Sequence, residues 1–374
     1  MRAQIISLNM MDIVKYAKSE SRFVSVIIPS YNRAHYISEA IESVLDQDVK
    51  DCRIEILVVD DGSTDNTSEI VSKFGSSVRY FYQTNKGAGT ARNRGVLEAR
   101  GDWIAFLDSD DRWLPHKLSL QFKILEAFPD YQAIHSEFRI FNDTGIITET
   151  GLQYWVENDL KSEDIKWDNI YSKKYRSEAY GIYFRDISFD IYTGNLFRAE
   201  LKTNCVSVWT LLVRKKCLTQ DIFFSESYPT WEDYWFTCRL SEKFNVIFMN
   251  VATAENRGHQ GPRLTQVDYI DKLKCHIDIC NKIYISSNSI NKPPESEIDR
   301  QYKRLHIKLF KEYLKKGRRM DAKKTYEGIK IINSQNSDIT LLFYRFASLL
   351  PFNVIRFLLS LKKTIQKMVG PIYV

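Results

Sequence analysis

The chain has 374 residues, of which 44% are hydrophobic and 27% charged, and its formal net charge is +6. This composition predicts a globular protein with room for one large domain, either alone or with an appendage. The modest positive charge does not indicate a nucleic-acid-binding protein, although it is compatible with anionic substrates or a membrane surface. Residues 1–22 lack a continuous apolar segment, so we interpret them as an N-terminal extension and expect a cytoplasmic protein.

Short apolar runs alternate with helical patterns in the first third of the chain. Residues 23–29, 54–59, 78–82 and 103–107 have the composition of buried strands. The segments between them carry apolar residues at helical spacing, as in residues 37–45. This alternation predicts an α/β fold with a mainly parallel sheet and helices on both faces.

Polar side chains follow each of these four predicted strands. They are Ser30 and Tyr31, Asp60 and Asp61, Asn85 and Lys86, and Asp108 with Asp110. In open α/β sheets, ligands bind outside the carboxyl ends of the strands. We therefore expect these four polar groups to converge on one crevice.

The acidic segment Asp108-Ser109-Asp110-Asp111 follows the fourth strand directly. A buried strand that ends in three carboxylates is costly unless something neutralises their charge. Mg²⁺ and Mn²⁺ prefer oxygen ligands and commonly bridge carboxylates to substrate phosphates. The segment therefore indicates a metal–diphosphate site, and the alternative is a solvated acidic turn that caps the next helix.

The middle of the chain predicts further strands and a long irregular segment. Strands are expected at residues 132–141, 206–213 and 246–251, and a helix that starts in the segment from Pro229 and runs to about Lys243. Residues 142–192 are irregular in pattern and are interpreted as an insertion over the crevice. Residues 255–265 are interpreted as a polar loop.

The last third of the chain has a mainly helical pattern. Residues 305–314 and 322–332 predict an antiparallel helix pair joined by a turn at Gly317. Residues 341–369 are apolar with interspersed basic residues, which suits a helix that lies on a membrane surface. A helix docked on its own domain is the alternative interpretation of that segment.

Five motifs in this order resemble those of the family 2 glycosyltransferases, which have the GT-A fold. They are VSVIIPSYNR (24–33), ILVVDDGSTDNT (56–67), NKGAGTARNRG (85–95), GDWIAFLDSDDRW (101–113) and WEDYWFTCRL (231–240). The resemblance implies a GT-A domain at residues 23–265, with a nucleotide-sugar half at 23–131 and an acceptor half at 132–265. A helical region at residues 266–374 follows it.

The resemblance implies transfer of a sugar from a nucleotide-sugar donor, usually a UDP-sugar, with inversion at the anomeric carbon. The acceptor would be a glycan or lipid-linked molecule in surface polysaccharide or glycoconjugate synthesis. The reaction would take place at the cytoplasmic face of the membrane, with peripheral contact through residues 341–369. A divalent cation, Mn²⁺ or Mg²⁺, would stabilise the charge on the departing diphosphate.

The resemblance also assigns roles to individual residues. The nucleotide-sugar site would be formed by Pro29, Tyr31, Arg33, Asp60, Asp61, Asn85, Gly87, Arg92, Asp108 and Ser109. The metal ligands would be Asp108, Asp110 and His259. The resemblance makes Asp233 the general base, with Glu232 beside it. The predicted helix start is compatible with this role, and the alternative is that both are helix N-terminal charges with no part in catalysis.

Other classes of protein share parts of this pattern. A nucleotidyltransferase needs a glycine-rich loop after the first strand, and residues 30–33 contain no glycine. A Rossmann dehydrogenase is disfavoured for a similar reason, since no GxGxxG motif follows Pro29. A non-catalytic sugar-nucleotide-binding scaffold would be expected to have lost its metal or base carboxylates, but Asp108, Asp110 and Asp233 are all present.

Overall fold

The computed structural model describes residues 22–160, 166–228, 230–258 and 268–332. The strands are β1 (Arg22–Ser30), β2 (Cys52–Asp60), β3 (Val78–Tyr82), β4 (Trp103–Phe106), β5 (Arg112–Trp113), β6 (Ala133–Asn142), β7 (Gly145–Thr148), β8 (Lys173–Arg176), β9 (Asp190–Gly194), β10 (Leu212–Arg214) and β11 (Val246–Arg257). The helices are α1 (Ile37–Leu45), α2 (Thr67–Ser72), α3 (Ala88–Glu98), α4 (Lys117–Ala127), α5 (Gly151–Leu160), α6 (Trp167–Ile170), α7 (Phe197–Glu200), α8 (Glu232–Lys243), α9 (Tyr269–Ile279), α10 (Glu295–Lys315) and α11 (Arg319–Ile332).

The chain forms two compact units that interleave along the sequence. The sheet unit comprises the described parts of residues 1–196, 204–226 and 244–259. The helical unit comprises the described parts of residues 197–203, 227–243 and 260–374. The domain boundaries expected from the sequence, after residues 22, 131 and 265, stay predictions.

The sheet unit is built on one 11-stranded sheet. Nine of its strands lie side by side in the order β3-β2-β1-β4-β10-β6-β11-β9-β8, while β5 pairs with β11 and β7 pairs with β6. Strands β3, β2, β1 and β4 are parallel neighbours, and β11 is parallel to β6. Strand β10 is antiparallel to both β4 and β6, and β9, β8, β5 and β7 also pair antiparallel. The longest pairings are thus parallel, which confirms the predicted mixed, mainly parallel α/β class.

Strand β1 and helix α3 pack unusually closely at the centre of this sheet. The side chains of β1 are buried from Val24 to Ser30, as is typical of a parallel strand covered on both faces. Helix α3 approaches β1 at Gly95, where an added Cβ atom would meet Ile27 Cγ2 at 2.3 Å. The glycine therefore sets the distance between the helix and the sheet.

The prediction of a strand at residues 206–213 is wrong for the first half of that segment. Val208–Thr210 form a 3-10 turn in which the Thr210 N–H and hydroxyl both donate to Ser207 O. The buried side chains of Lys117 and Gln121 donate to Thr210 O, at 3.0 and 2.8 Å. These tertiary hydrogen bonds override the strand propensity of the β-branched residues, and only Leu212–Arg214 pair as β10.

Two other predicted boundaries differ from the structure. Residues 255–257, expected in a loop, continue β11, because the charge of Glu255 is paired with Arg139 and Arg112 of neighbouring strands. Residues 142–192, expected to be irregular, contain α5, α6, β7, β8 and the start of β9, and the last two strands extend the sheet edge. Residues 161–165 and 259–265 lie outside the described residues.

The helical unit has an apolar core of its own, formed by α7 to α11 and the segments that join them. Helix α10 is amphipathic, and its buried side chains Ile298, Leu305, Leu309 and Phe310 lie on one face. Gly317, with φ +72°, reverses the chain between α10 and α11, which confirms the predicted helix pair. In the described part of the chain, every helix falls short of the length and apolarity that a bilayer span requires. Residues 341–369 lie outside it.

The contact between Gly95 and Ile27 predicts a specific cost of substitution. We expect Gly95→Ala to lower the free energy of unfolding by about 1–3 kcal/mol, because the extra methyl group forces α3 away from β1. Urea unfolding of the full chain measures this change. Leu97→Ala on the same helix is the matched control, since Leu97 is 68% exposed and should cost much less. Equal stability of Gly95→Ala and the parent chain would contradict the packing argument.

Candidate active site

The carboxyl ends of β1, β2 and β4 meet at one edge of the sheet. Ser30 and Asp60, the last residues of β1 and β2, are paired in register, and Asp61 N–H donates to Ser30 O at 2.8 Å. On the other side of β1, Leu107 N–H donates to Ile27 O at 3.0 Å. The polar segments that follow these three strands are therefore brought together in the sheet unit.

The carboxylates of Asp108 and Asp110 each lie beside an arginine. Arg92 Nη2 is 2.7 Å from Asp108 Oδ1, and Arg33 Nε is 3.2 Å from Asp110 Oδ2. Arg92 comes from α3 and is almost fully buried, with its guanidinium 5.3 Å from the ring centroid of Phe224. Two carboxylates and two guanidinium groups thus form two ion pairs at the end of β4. The formal charges of these four groups sum to zero.

Asp111 has a different environment from its two neighbours. It is 2% exposed, and burial together with the charges of Asp110 and Asp108 raises its pKa well above the usual range. Its Oδ1 accepts a hydrogen bond from Arg257 N–H at 2.8 Å, and Asn256 Nδ2 donates to both of its carboxyl oxygens. Asp111 therefore fastens the acidic segment to the end of β11.

Sequence reasoning did not assign a role to Asn256 or Arg257. Arg257 also donates from Nε to Asp110 O at 3.1 Å, and its Nη2 is paired with Glu39 of α1. Polar residues at the carboxyl end of a strand are the signal that could have found them, but the strand was expected to end at residue 251. The extended β11 therefore adds residues to the site that the motifs alone do not contain.

Asp60 holds the turn that follows β2. Its Oδ1 accepts the Ser63 N–H at 2.7 Å, and its Oδ2 accepts the Tyr80 hydroxyl at 2.6 Å. The hydrogen bond to Ser63 is the local side-chain-to-backbone bond that aspartate commonly forms in turns. The Tyr80 bond and burial together raise the pKa of the Tyr80 hydroxyl.

Asp61 holds the loop between β3 and α3. Its Oδ1 accepts hydrogen bonds from Gln83 Nε2 and Lys86 N–H, and its Oδ2 accepts the Gly87 N–H at 2.7 Å. Gly87 precedes α3 with φ +92°, a conformation in which a side chain would be strained. One carboxylate thus fixes the backbone at the start of the helix that carries Arg92.

The remaining residues of the predicted site are distributed as follows. Pro29 is buried within β1, Tyr31 is 46% exposed just beyond it, and Ser109 is buried beside the acidic pair. Asn85 lies directly against Gly62. A Cβ atom added to Gly62 would be only 2.9 Å from the backbone N of Asn85.

The two residues predicted to act in catalysis lie in the helical unit. Glu232 and Asp233 are the first two residues of α8, and Asp233 Oδ1 accepts the Tyr234 N–H. His259, predicted as a metal ligand, lies outside the described residues. Among the residues that the structure does describe, no group of three or more His, Cys, Asp or Glu side chains is arranged to hold a metal ion.

Comparison with known proteins agrees with this fold. TarS from S. aureus, residues 1–349 solved in complex with UDP-GlcNAc, superposes with a TM-score of 0.53 at 20% identity, over 75% of this chain and 71% of that one. That likeness places the fold among the GT-A glycosyltransferases. Residues 25–202 match the model of the family described as glycosyl transferase family 2. This match covers 178 of the 374 residues, a little under half of the chain.

The curated relatives each match about a third of the chain. An uncharacterized glycosyltransferase of Rickettsia felis is 45% identical over 129 residues, which are 34% of this chain and 21% of that protein. The UDP-Glc:alpha-D-GlcNAc-diphosphoundecaprenol beta-1,3-glucosyltransferase WfgD of Escherichia coli is 42% identical over 127 residues, which are 33% of this chain and 49% of that protein. The matches thus span less than half the length of either relative.

The hydrogen bonds of Asp61 predict a local effect of its substitution. In Asp61→Asn, an amide N–H₂ group replaces one acceptor oxygen and faces a backbone donor. We expect amide hydrogen exchange at residues 86–87 to become about tenfold faster or more, the loss expected for a hydrogen bond to a charged group. Exchange measured by mass spectrometry on peptides covering residues 83–90 tests this.

Asp48→Asn is the control for that experiment, because it removes an exposed carboxylate from a different loop. Protection at residues 86–87 should be unchanged in the control. If Asp61→Asn and Asp48→Asn gave the same exchange rates, Asp61 would not be the group that orders this loop.

Proposed function

We propose that the protein is a metal-dependent, inverting glycosyltransferase that moves a sugar from a UDP-sugar to a glycan or lipid-linked acceptor. The observation that carries the proposal is the set of paired charges at the end of β4, within the region that matches the family. Asp108 with Arg92, and Asp110 with Arg33, lie where ligands of parallel sheets bind.

The charge balance of this group favours a diphosphate that arrives with its own cation. Arg33 and Arg92 offset the charges of Asp108 and Asp110, so a bare diphosphate gains little net attraction there. Mg²⁺ and Mn²⁺ are commonly held by one or two carboxylates together with substrate phosphates and water. Asp108 and Asp110 supply such carboxylates, and a bound ion would stabilise negative charge on the leaving diphosphate.

The other residues of the sheet unit would bind and orient the nucleotide. In this proposal Pro29 and Tyr31 border the nucleotide, and Asn85, Gly87 and Ser109 line the donor site with Arg92. Asp60 or Asp61 contacts the base and ribose. The E. coli relative is named as an enzyme that uses UDP-Glc, which supports uridine as the base of the donor nucleotide.

Asp233 is proposed as the general base, with Glu232 beside it. Both carboxylates lie in the first turn of α8, where the helix dipole interacts favourably with negative charge. The base removes the proton from the acceptor hydroxyl as that hydroxyl attacks the anomeric carbon. Inversion follows because attack comes from the face opposite the departing nucleotide.

A lipid-linked acceptor is the more specific part of the proposal. The E. coli relative is named for a diphosphoundecaprenol-linked acceptor, and this supports a similar substrate here. We place the reaction at the cytoplasmic face of the membrane, with residues 341–369 as the proposed peripheral contact.

Binding of the donor can be tested before the sugar is known. We expect UDP with Mn²⁺ to raise the melting temperature of the full chain, whereas UDP alone should give a much smaller rise. A ligand at about 100 times its dissociation constant adds about 2.7 kcal/mol to the free energy of unfolding. Asp110→Asn should lose the metal-dependent part of this rise, and differential scanning fluorimetry measures it.

Asp130→Asn is the matched control for donor binding, because Asp130 is exposed and lies away from the strand ends. It should respond to UDP and Mn²⁺ as the parent chain does. Stabilisation by a nucleoside triphosphate but not by UDP would favour a nucleotidyltransferase instead. A full UDP response in Asp110→Asn would show that the acidic pair is not the donor site.

The base assignment predicts a separation of binding from turnover. Asp233→Asn should bind UDP and Mn²⁺ like the parent chain but lose turnover by roughly 10²–10⁴-fold, the usual contribution of a general base. Release of UDP from the sugar donor that stabilises the protein most, with a membrane extract as the source of acceptor, measures turnover. Asp271→Asn, in the first turn of α9, is the matched control and should keep normal turnover. Normal turnover in Asp233→Asn would exclude it as the base.

A further inference from the structure

A second cleft of the sheet unit lies on one edge of β11. Strand β9 pairs with Val246–Met249 of β11, and β5 pairs with Ala254 and Glu255. Asn250, Val251 and Ala252 lie between these two pairings and form the floor of a cleft of about 640 Å³. This volume is within the range of small-molecule sites in proteins.

The floor of this cleft is bent by an irregularity in the sheet. Met249 of β11 faces Ser136 of β6, whereas Ala252 faces the next residue, Glu137. Two additional residues of β11 are therefore accommodated between neighbouring positions of β6. Such bulges are common next to functional sites because they redirect backbone and side chains.

A strained turn forms one wall of the cleft. Phe184 and Ile187 exchange two backbone hydrogen bonds of 3.0 Å, so Arg185 and Asp186 are the two central residues of a tight hairpin. Both central residues have positive φ, 51° and 61°. Turns of this kind strongly prefer asparagine and glycine at these positions. Left-handed backbone at other residue types is concentrated at binding and catalytic sites.

This turn presents Arg185 at the cleft without a neutralising partner. Arg185 is exposed and forms no ion pair within the described residues, whereas Arg139 and Arg176 of the same cleft are paired with Glu255 and Asp190. Its guanidinium lies 5.2 Å from the ring centroid of Phe184. A cation held in this way is available to an anionic ligand.

Inside the cleft the positive charges of two arginines act on His116, and the carboxylates of Glu149 and Asp190 also line the cleft. The imidazole of His116 lies 4.1 Å from the Phe184 ring, between centroids. Burial lowers the pKa of His116, and the charges of Arg185 and Arg139 lower it further. The ring is therefore neutral at physiological pH and reports the charge of whatever enters the cleft. Next to it, Ile187 is 68% exposed and offers an apolar surface.

The cleft connects directly to the proposed donor site. Residues 111–116 run antiparallel to residues 256–252 of β11, from the Asp111 contact with Asn256 to the His116 contact with Ala252 O at 3.0 Å. At about 3.3 Å per extended residue, the cleft lies no more than about 16 Å from the acidic segment, because residues 115 and 116 form a turn. That distance suits a part of the acceptor remote from the reacting hydroxyl.

We propose that this cleft is an acceptor subsite for an anionic saccharide, in which Arg185 pairs with the negative group and Phe184 and Ile187 contact the sugar ring. The inference rests on the proposed function, since it names the acceptor class of the same enzyme. The negative group is a carboxylate or a phosphate, both of which a guanidinium binds in bidentate geometry.

The test uses histidine-labelled full-length protein and NMR, with His116→Gln to assign the His116 signal. Methyl β-glucuronide, glucose 1-phosphate and neutral methyl β-glucoside are the probes. We expect the anionic saccharides to shift the His116 signal and raise its pKa, because their charge offsets that of the arginines. Whichever anionic saccharide binds more tightly identifies carboxylate or phosphate as the recognised group. The neutral glucoside should bind at least about tenfold more weakly than that saccharide.

Substitution of Arg185 distinguishes binding of the saccharide by this side chain from a general effect of positive charge on the protein. Arg185→Gln should weaken binding of the anionic saccharide by about tenfold or more, and Arg185→Lys by less. Arg53→Gln is the matched control, because Arg53 is likewise exposed and lies 4.4 Å from a phenylalanine ring centroid, but on β2. It should bind the probes as the parent chain does.

Three results would overturn the subsite. They are equal binding of the glucoside and the glucuronide or phosphate, equal losses in the Arg185 and Arg53 variants, and an unchanged His116 signal with every probe. UDP binding with Mn²⁺ is measured on the same samples. If UDP binds and no saccharide does, only the subsite fails. If the saccharides bind at His116 and UDP does not, the proposed function fails instead.

Discussion

The structure depends on how negative charge is accommodated where β4 ends. Three carboxylates lie within four residues, and one of them is fully enclosed. Each is matched by a group from a distant part of the chain: Arg33 after β1, Arg92 on α3, and Asn256 and Arg257 on β11. Two ion pairs and the hydrogen bonds of Asp111 hold the segment. The acidic segment therefore depends on contacts from several separate parts of the sheet unit.

These contacts belong to a longer series of ion pairs in the sheet unit. Arg257 pairs with Glu39, Glu39 with Arg112, Arg112 with Glu255, and Glu255 with Arg139 at the second cleft. The series begins at Asp110, whose backbone oxygen accepts from Arg257. The acidic segment and the cleft are thus joined by a continuous series of direct contacts within the sheet unit.

Local pattern was sufficient to predict the first half of the sheet. The β-branched run of β1 and the apolar run of β2 carry strand signals in their own residues, and the strands lie within two residues of the predicted bounds. The contact between Asp111 and Arg257 joins residues 146 positions apart, and neither residue type indicates its partner. The same reason explains the error at Thr210, whose turn depends on hydrogen bonds from Lys117 and Gln121. Sequence pattern therefore located the candidate donor residues, while the groups that hold them in place came from tertiary contacts.

The position of β10 has a consequence for the order in which the protein can form. This strand of three residues lies between β4 and β6, although it follows β6 by about 70 residues in the chain. As the chain leaves the ribosome, β1 to β4 can pair early, since they are consecutive. The edge of β4 that faces β6 then stays open until residues 212–214 emerge. Open strand edges are prone to pairing with other chains. The centre of the sheet can therefore be completed only after β10, its shortest strand, has been synthesised.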